Sequence, residues 1–258
     1  MEWKNCLPQM ILDFISDSNT KEIDIGCSDS HVIKIEKENK NYYLKIMKEN
    51  FLLSEYRRLN WLAEKLSVPK VTMFVQENHY DYLITEEMPG QMLCEDYYLH
   101  HPKVALDILK EAFQKLISVD ISDCPFDVSN SYKLELVKKN IEKGLVKDDT
   151  LKEETREKFG TARQVLKYLE DNRFEEELVF SHGDTSLPNI FAKQDQFMGF
   201  IDVGECGIAD KWFDLAICEK SILRNYGKEY VDKFYQILNI KRDSHKINYY
   251  LLMMELYL

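Results

Sequence analysis

A chain of 258 residues with 45% hydrophobic and 31% charged side chains is long enough to bury a core without disulfides or metals. It is also too apolar for intrinsic disorder. Lys and Arg number 34 against 45 Asp and Glu, a formal net charge of -11, so the surface repels nucleic acid and favours a polycationic ligand. No apolar run approaches the roughly 18 residues needed to cross a bilayer. Neither a signal nor a transit pattern opens the chain, and six cysteines without a CxxC pair read as reduced thiols. These features predict a cytosolic protein with no membrane partner, monomeric or homodimeric.

The first ninety residues alternate β-prone runs with one helix. Strands are expected at 23–25, 31–35 and 42–46, separated by the turn signals Gly26-Cys27-Ser28-Asp29 and Lys37-Glu38-Asn39-Lys40-Asn41. Leu52, Leu53, Tyr56, Leu59, Ala63 and Leu66 recur at helical steps, and Pro69 ends that helix. Strands at 71–75 and 82–85 complete a five-stranded antiparallel sheet. Pro89-Gly90 then breaks the pattern, which sets the expected domain boundary between 1–88 and 89–258.

Beyond it the spacing turns helical. Ala105, Ile108, Leu109, Ala112, Phe113 and Leu116 form one apolar face, followed by helices through Leu134, Val137 and Ile141 and through Val165, Leu166 and Leu169. A β-rich insert follows, with strands at 178–180, 190–192 and 197–201, and helical spacing resumes from Ala209. The expected fold class is therefore α+β, a small sheet-based lobe followed by a larger, mainly helical one.

The chemistry concentrates in the insert. His182-Gly183-Asp184 and Asn189 lie between two strands, and Asp202-Val203-Gly204 ends the next. Phosphoryl transfer needs this set: one carboxylate faces the incoming hydroxyl, while a carboxamide oxygen and a second carboxylate hold magnesium. H-x-D-x-x-x-x-N followed by D-x-G is the catalytic core of a protein-kinase-like fold. Asp184 is the catalytic candidate, and Asn189 and Asp202 are the metal candidates. Upstream, Lys45 sits within a strand otherwise suited to burial and needs an anionic partner. Glu55 points the same way as the buried stripe of the following helix and supplies that partner. Ser28, in a loop with one glycine where such folds cover the phosphates, is a further donor-binding candidate. His100-His101 before Pro102 lacks a third ligand at metal spacing and reads as a helix start.

The blocks Val179-Phe180-Ser181-His182-Gly183-Asp184, Asn189-Ile190-Phe191, Gly199-Phe200-Ile201-Asp202-Val203-Gly204 and Ala209-Asp210-Lys211-Trp212-Phe213-Asp214 together resemble the aminoglycoside 3'-phosphotransferases of bacterial antibiotic resistance. Tyr43-Leu44-Lys45 and Asp120-Ile121-Ser122-Asp123-Cys124-Pro125 extend the resemblance along nearly the whole chain. It implies a two-lobed protein-kinase-like enzyme that moves the γ-phosphate of ATP or GTP, with Mg2+, onto an antibiotic hydroxyl. It also implies that Tyr43 stacks on the base, that the backbone of Glu86 to Met88 pairs with the base edge, and that Asp214 braces the catalytic loop. Glu154, Glu255 and Tyr257 match positions that bind the aminoglycoside. Glu205 stands where the family usually has Arg, beside metal and substrate, and Met254 where many members have an acidic residue. These departures keep two alternatives open: a kinase of another small cationic or sugar acceptor, and a nucleotide-binding pseudokinase.

Overall fold

A computed structural model describes residues 7–23 and 30–257. Its elements run α1 (Gln9–Ile15), β1 (Asn19–Ile23), β2 (His31–Lys37), β3 (Lys40–Lys48), α2 (Leu53–Leu62), β4 (Val71–Glu77) and β5 (Tyr80–Glu86). After these come β6 (Gln91–Met92), α3 (Asp96–His100), α4 (Pro102–Ser118), α5 (Asn130–Glu142), α6 (Glu153–Phe159) and α7 (Ala162–Asp171). The last are β7 (Leu178–Ser181), β8 (Ile190–Lys193), β9 (Gln196–Phe200), β10 (Gly207–Asp210), α8 (Lys211–Asn225), α9 (Lys228–Leu238) and α10 (Ser244–Met254). The chain divides into two compact units, Met1–Gly90 with Met198–Gly204, and Gln91–Phe197 with Glu205–Leu258.

The first unit is an antiparallel sheet in the order β1-β2-β3-β5-β4. Its two tightest hairpins turn on Glu38-Asn39 and Asn78-His79, all four at positive φ, which matches the right-handed twist of the flanking strands. The period of two sends Ile33, Ile35, Leu44, Tyr82 and Ile84 to one face, where Leu7, Ile11 and Ile15 of the α1 segment cover them. The sequence pattern did not anticipate α1, a helix of only seven residues. The first strand also begins earlier than expected, and residues 24 and 25 fall outside the described residues. Lys45 follows Leu44 and so belongs to the opposite face, paired in register with Val32 and Leu83. On α2, Glu55, Leu59 and Leu62 are buried, and Tyr56 stacks on Phe74 of β4 with ring centroids 4.4 Å apart. The start of α2 is tied to β5 by Asp81, fully buried, whose carboxylate accepts the Leu52 N–H at 2.9 Å and the Gln76 amide at 2.8 Å.

In the second unit every apolar position predicted for α4, α5 and α7 is buried. Pro102 opens α4, where its missing N–H costs nothing. Thr161 and Gln164 close a capping box on α7. β10 pairs antiparallel with β7. Helical spacing was expected from Ala209, yet Ala209 and Asp210 complete β10 and the helix begins at Lys211. Asp210 enforces the change, because its carboxylate caps the Trp212 N–H at 3.1 Å and accepts the Tyr250 hydroxyl at 2.8 Å.

Candidate active site

In the first unit, Lys45 reaches across from β3 to Glu55 of α2. Its Nζ donates to Oε1 at 2.8 Å and Oε2 at 3.0 Å, and also to Asp202 Oδ1 at 3.2 Å. Burial works to lower the lysine pKa, but the charges of Glu55 and Asp202 outweigh it and hold the ammonium above the ordinary lysine value. Asp202 itself sits at φ 58, a left-handed conformation uncommon outside glycine and concentrated at functional sites. The next residues are held too, since Ser54 Oγ donates to Gly204 O at 3.1 Å.

Tyr43 lies two residues before Lys45 on the same face of β3. Its hydroxyl donates to Glu87 at 3.0 Å, and the same carboxylate accepts Lys34 Nζ at 2.8 Å and the Asn41 amide at 2.7 Å. Burial opposes charge on Glu87, yet these three donors keep its carboxyl below the usual range. Along the hinge, the Glu86 N–H is taken by Lys70 O and the Glu87 N–H by Asn41 O, each at 2.9 Å. Met88 follows with its side chain buried. Ser28 lies outside the described residues.

In the second unit, the loop from His182 to Asn189 is organised from below by Asp214 of α8. The Asp214 carboxylate accepts the His182 N–H at 2.8 Å and the Gly183 N–H at 3.0 Å, while its carbonyl accepts the Thr185 hydroxyl at 2.7 Å. Burial pushes the Asp214 carboxyl up, and the positive field of His182 and the N–H donors oppose that rise. Gly183 is required: it has φ +86, and a Cβ there would lie 2.5 Å from Glu205 O. Asp184 accepts the Ser186 N–H at 3.2 Å on Oδ1 and the Asn189 amide at 2.8 Å on Oδ2. Asn189 gives its Nδ2 a second time to Asp184 O at 3.0 Å. Its nitrogen is therefore committed, and Oδ1 remains as the lone-pair donor that a hard cation takes. Asp202 likewise offers carboxylate oxygen. Both donors suit Mg2+, which prefers oxygen and takes few protein ligands. Among the described residues no three His, Cys, Asp or Glu side chains converge on a metal.

The acidic residues predicted to meet a cationic substrate divide. Glu255, at the end of α10, accepts Lys152 Nζ at 2.8 Å and the Lys152 N–H at 3.2 Å. Glu205 accepts the Tyr257 hydroxyl at 3.0 Å. Glu154 is exposed in the first turn of α6. Asp148, exposed six residues earlier, accepts the Ala162 N–H in the first turn of α7 at 2.8 Å. The sequence pattern also missed Lys133, buried on α5. Its ammonium donates to Val128 O and lies 4.3 Å from the Phe213 ring centroid and 5.7 Å from that of Tyr257. Burial depresses its pKa to about 8, against the opposing fields of Asp214, Glu205, Glu176 and Asp127. The charge of Lys133 on α5 is thus felt at Glu205. The bracing roles of the Asp81 and Glu87 side chains were also missed. Asp81 fell outside the strand expected at 82–85, whereas β5 starts at Tyr80 and carries Asp81 into the core.

These features define the chain as a kinase-like phosphotransferase. A model described as the phosphotransferase enzyme family matches residues 19–245. Over 240 residues the chain is 36% identical to an aminoglycoside 3'-phosphotransferase of Enterococcus faecalis, covering 90% of this chain and 91% of that protein. A counterpart from Staphylococcus aureus is 35% identical over the same shares. The crystal structure of an aminoglycoside-3'-phosphotransferase of type VIII matches with a TM-score of 0.81 at 25% identity, over 93% of this chain and 94% of that one. A Streptomyces rimosus aminoglycoside phosphotransferase in complex with ADP and streptomycin shares the fold, with a TM-score of 0.79 at 20% identity over 99% and 98% of the two chains. The chain belongs to the aminoglycoside 3'-phosphotransferase family. Among the described residues no helix is long and apolar enough to cross a membrane.

Proposed function

We propose that this chain is a Mg2+-dependent aminoglycoside O-phosphotransferase acting on the 3'-hydroxyl, and that it confers resistance by doing so in the cytosol. The observation that carries the reading is the meeting of Lys45, Glu55 and Asp202. A strand lysine, a helix glutamate and a loop carboxylate 157 residues away in sequence join at 2.8 to 3.2 Å, an arrangement suited to gripping the phosphates of ATP or GTP. The names of the relatives support the acceptor class, and the nucleotide complex of the Streptomyces rimosus structure supports the donor.

In this reading Tyr43, its ring fixed through Glu87, packs on the base, while the hinge backbone from Glu86 to Met88 meets the base edge. Ser28 contributes to the loop over the phosphates. Lys45 holds the α- and β-phosphates and Glu55 keeps it in place. Asn189 and Asp202 hold Mg2+, which when bound offsets the charge of the triphosphate. Asp184, oriented by Asn189 and the Ser186 N–H, accepts the proton of the substrate hydroxyl as its oxygen bonds to the γ-phosphorus. The bond from phosphorus to the bridging oxygen breaks, and the nucleoside diphosphate leaves with that electron pair. Glu154, Glu205 and Glu255 meet substrate ammonium groups, and Tyr257 orients Glu205.

Purified protein should transfer labelled γ-phosphate to kanamycin, and Asp184→Ala should lower kcat by at least about a hundredfold. Near-normal turnover in the variant would refute the assignment of Asp184. Phosphate transfer only to choline-type or neutral sugar acceptors would refute the substrate class.

A further inference from the structure

Glu255 is almost covered, with 11% of its side chain exposed, yet its counter-charge comes from a lysine that is 59% exposed. A carboxylate so far removed from water needs a cation. Lys152 supplies one from the N-terminal edge of α6, with its ammonium on Oε1 and its backbone N–H on Oε2. The two contacts do different things. The backbone N–H orients the carboxylate whatever side chain residue 152 carries, whereas the ammonium only neutralises it. That ammonium has the same chemistry as the substrate groups Glu255 is proposed to bind.

We propose that Lys152 is a specificity-determining residue, an internal cation that occupies Glu255 until an acceptor ammonium displaces it. The inference rests on the reading of Glu255 as a substrate contact. Displacement is feasible because most of the lysine is in water, where such ion pairs are weak. The expected consequence is a KM raised by the competition, with kcat untouched, since the lysine is displaced before the transition state as well as in it. An arginine at the same place would bind the carboxylate through two N–H groups and be harder to displace.

The test is steady-state kinetics with kanamycin as acceptor. Lys152→Met should lower KM about three- to fivefold with kcat unchanged, and Lys152→Arg should raise KM. In a Glu255→Gln background, Lys152→Met should change nothing. Lys147→Met, removing an exposed lysine of the same segment, controls for long-range charge and should leave KM unmoved. An unchanged or raised KM in Lys152→Met, or an equal fall in Lys147→Met, overturns the inference. Glu255→Gln alone separates the two readings. A raised KM in Glu255→Gln, together with no response of the otherwise wild-type protein to Lys152→Met, sinks the internal cation only, whereas an unchanged KM in Glu255→Gln sinks the Glu255 substrate contact and the internal cation with it.

Discussion

Two lysine–glutamate pairs, one in each unit, look alike by distance and by the burial of the glutamate, and differ in the setting of the lysine. Lys45 meets Glu55 and Lys152 meets Glu255 at 2.8 Å, and the two glutamates are covered alike, at 10% and 11% side-chain exposure. Lys45, however, is 27% exposed, rises from the middle of a sheet and has Asp202 as a second carboxylate. Lys152 is 59% exposed and stands at a helix edge with one partner. The first ion is locked among anions and is proposed to hold a phosphate, while the second is proposed to give way to an acceptor ammonium. What an ion pair does depends on what surrounds its cation, and the pair distance does not report that.

The largest loss should follow the removal of a covered carboxylate altogether. Asp214 has no lysine bonded to it and is held by the backbone N–H groups of His182 and Gly183 and by the Ser181 hydroxyl, so Asp214→Ala leaves these donors at the base of the His182–Asn189 loop without an acceptor. Urea unfolding should show a loss of about 4 kcal/mol. A loss below about 1 kcal/mol would show that the loop does not depend on this brace.

Lys45→Met should come next, lowering kcat/KM for nucleotide by about a hundredfold, because Glu55 and Asp202 then face the phosphates uncompensated. Lys45→Arg should recover little of it, since a planar fork does not replace a point charge between two carboxylates. Full recovery by arginine would mean that charge alone matters at this position.

The converse case is Lys133, a covered lysine without a bonded carboxylate. Its folded pKa of about 8 lies below the ordinary value, so between about pH 8 and 10.4 the unfolded chain binds more protons and stability rises with pH. From pH 7.5 to 9.5 this group alone should add about 2 kcal/mol to the unfolding free energy. The increment should disappear in Lys133→Met. Equal pH dependence in the two proteins would place the lysine in a better solvated setting than its burial indicates.

Much of the candidate site was legible in the sequence because its residues recur at spacings that a strand, a helix or a tight loop imposes. Asp184 and Asn189 belong to one loop, and their contact follows from a few backbone turns. Lys45 and Glu55 followed from period two in β3 and period 3.6 in α2. The braces were not legible. Glu87 gathers Lys34, Asn41 and Tyr43, three residues on two strands, and no local pattern marks it. Lys152 reads as an ordinary solvated helix-edge lysine until Glu255, 103 residues later, is seen beside it.

The sheet-forming and helix-forming halves and the candidates for the reacting groups were legible from sequence, because these depend on hydrophobic period, turn residues and the donor types that phosphate chemistry demands. Which charges meet which emerges from the packed molecule alone: Lys133 lies against the Phe213 ring, Tyr257 bonds Glu205, and Lys152 pairs with Glu255. Electrostatic pairing depends on distance and burial in space, and neither is encoded in the separation of residues along the chain.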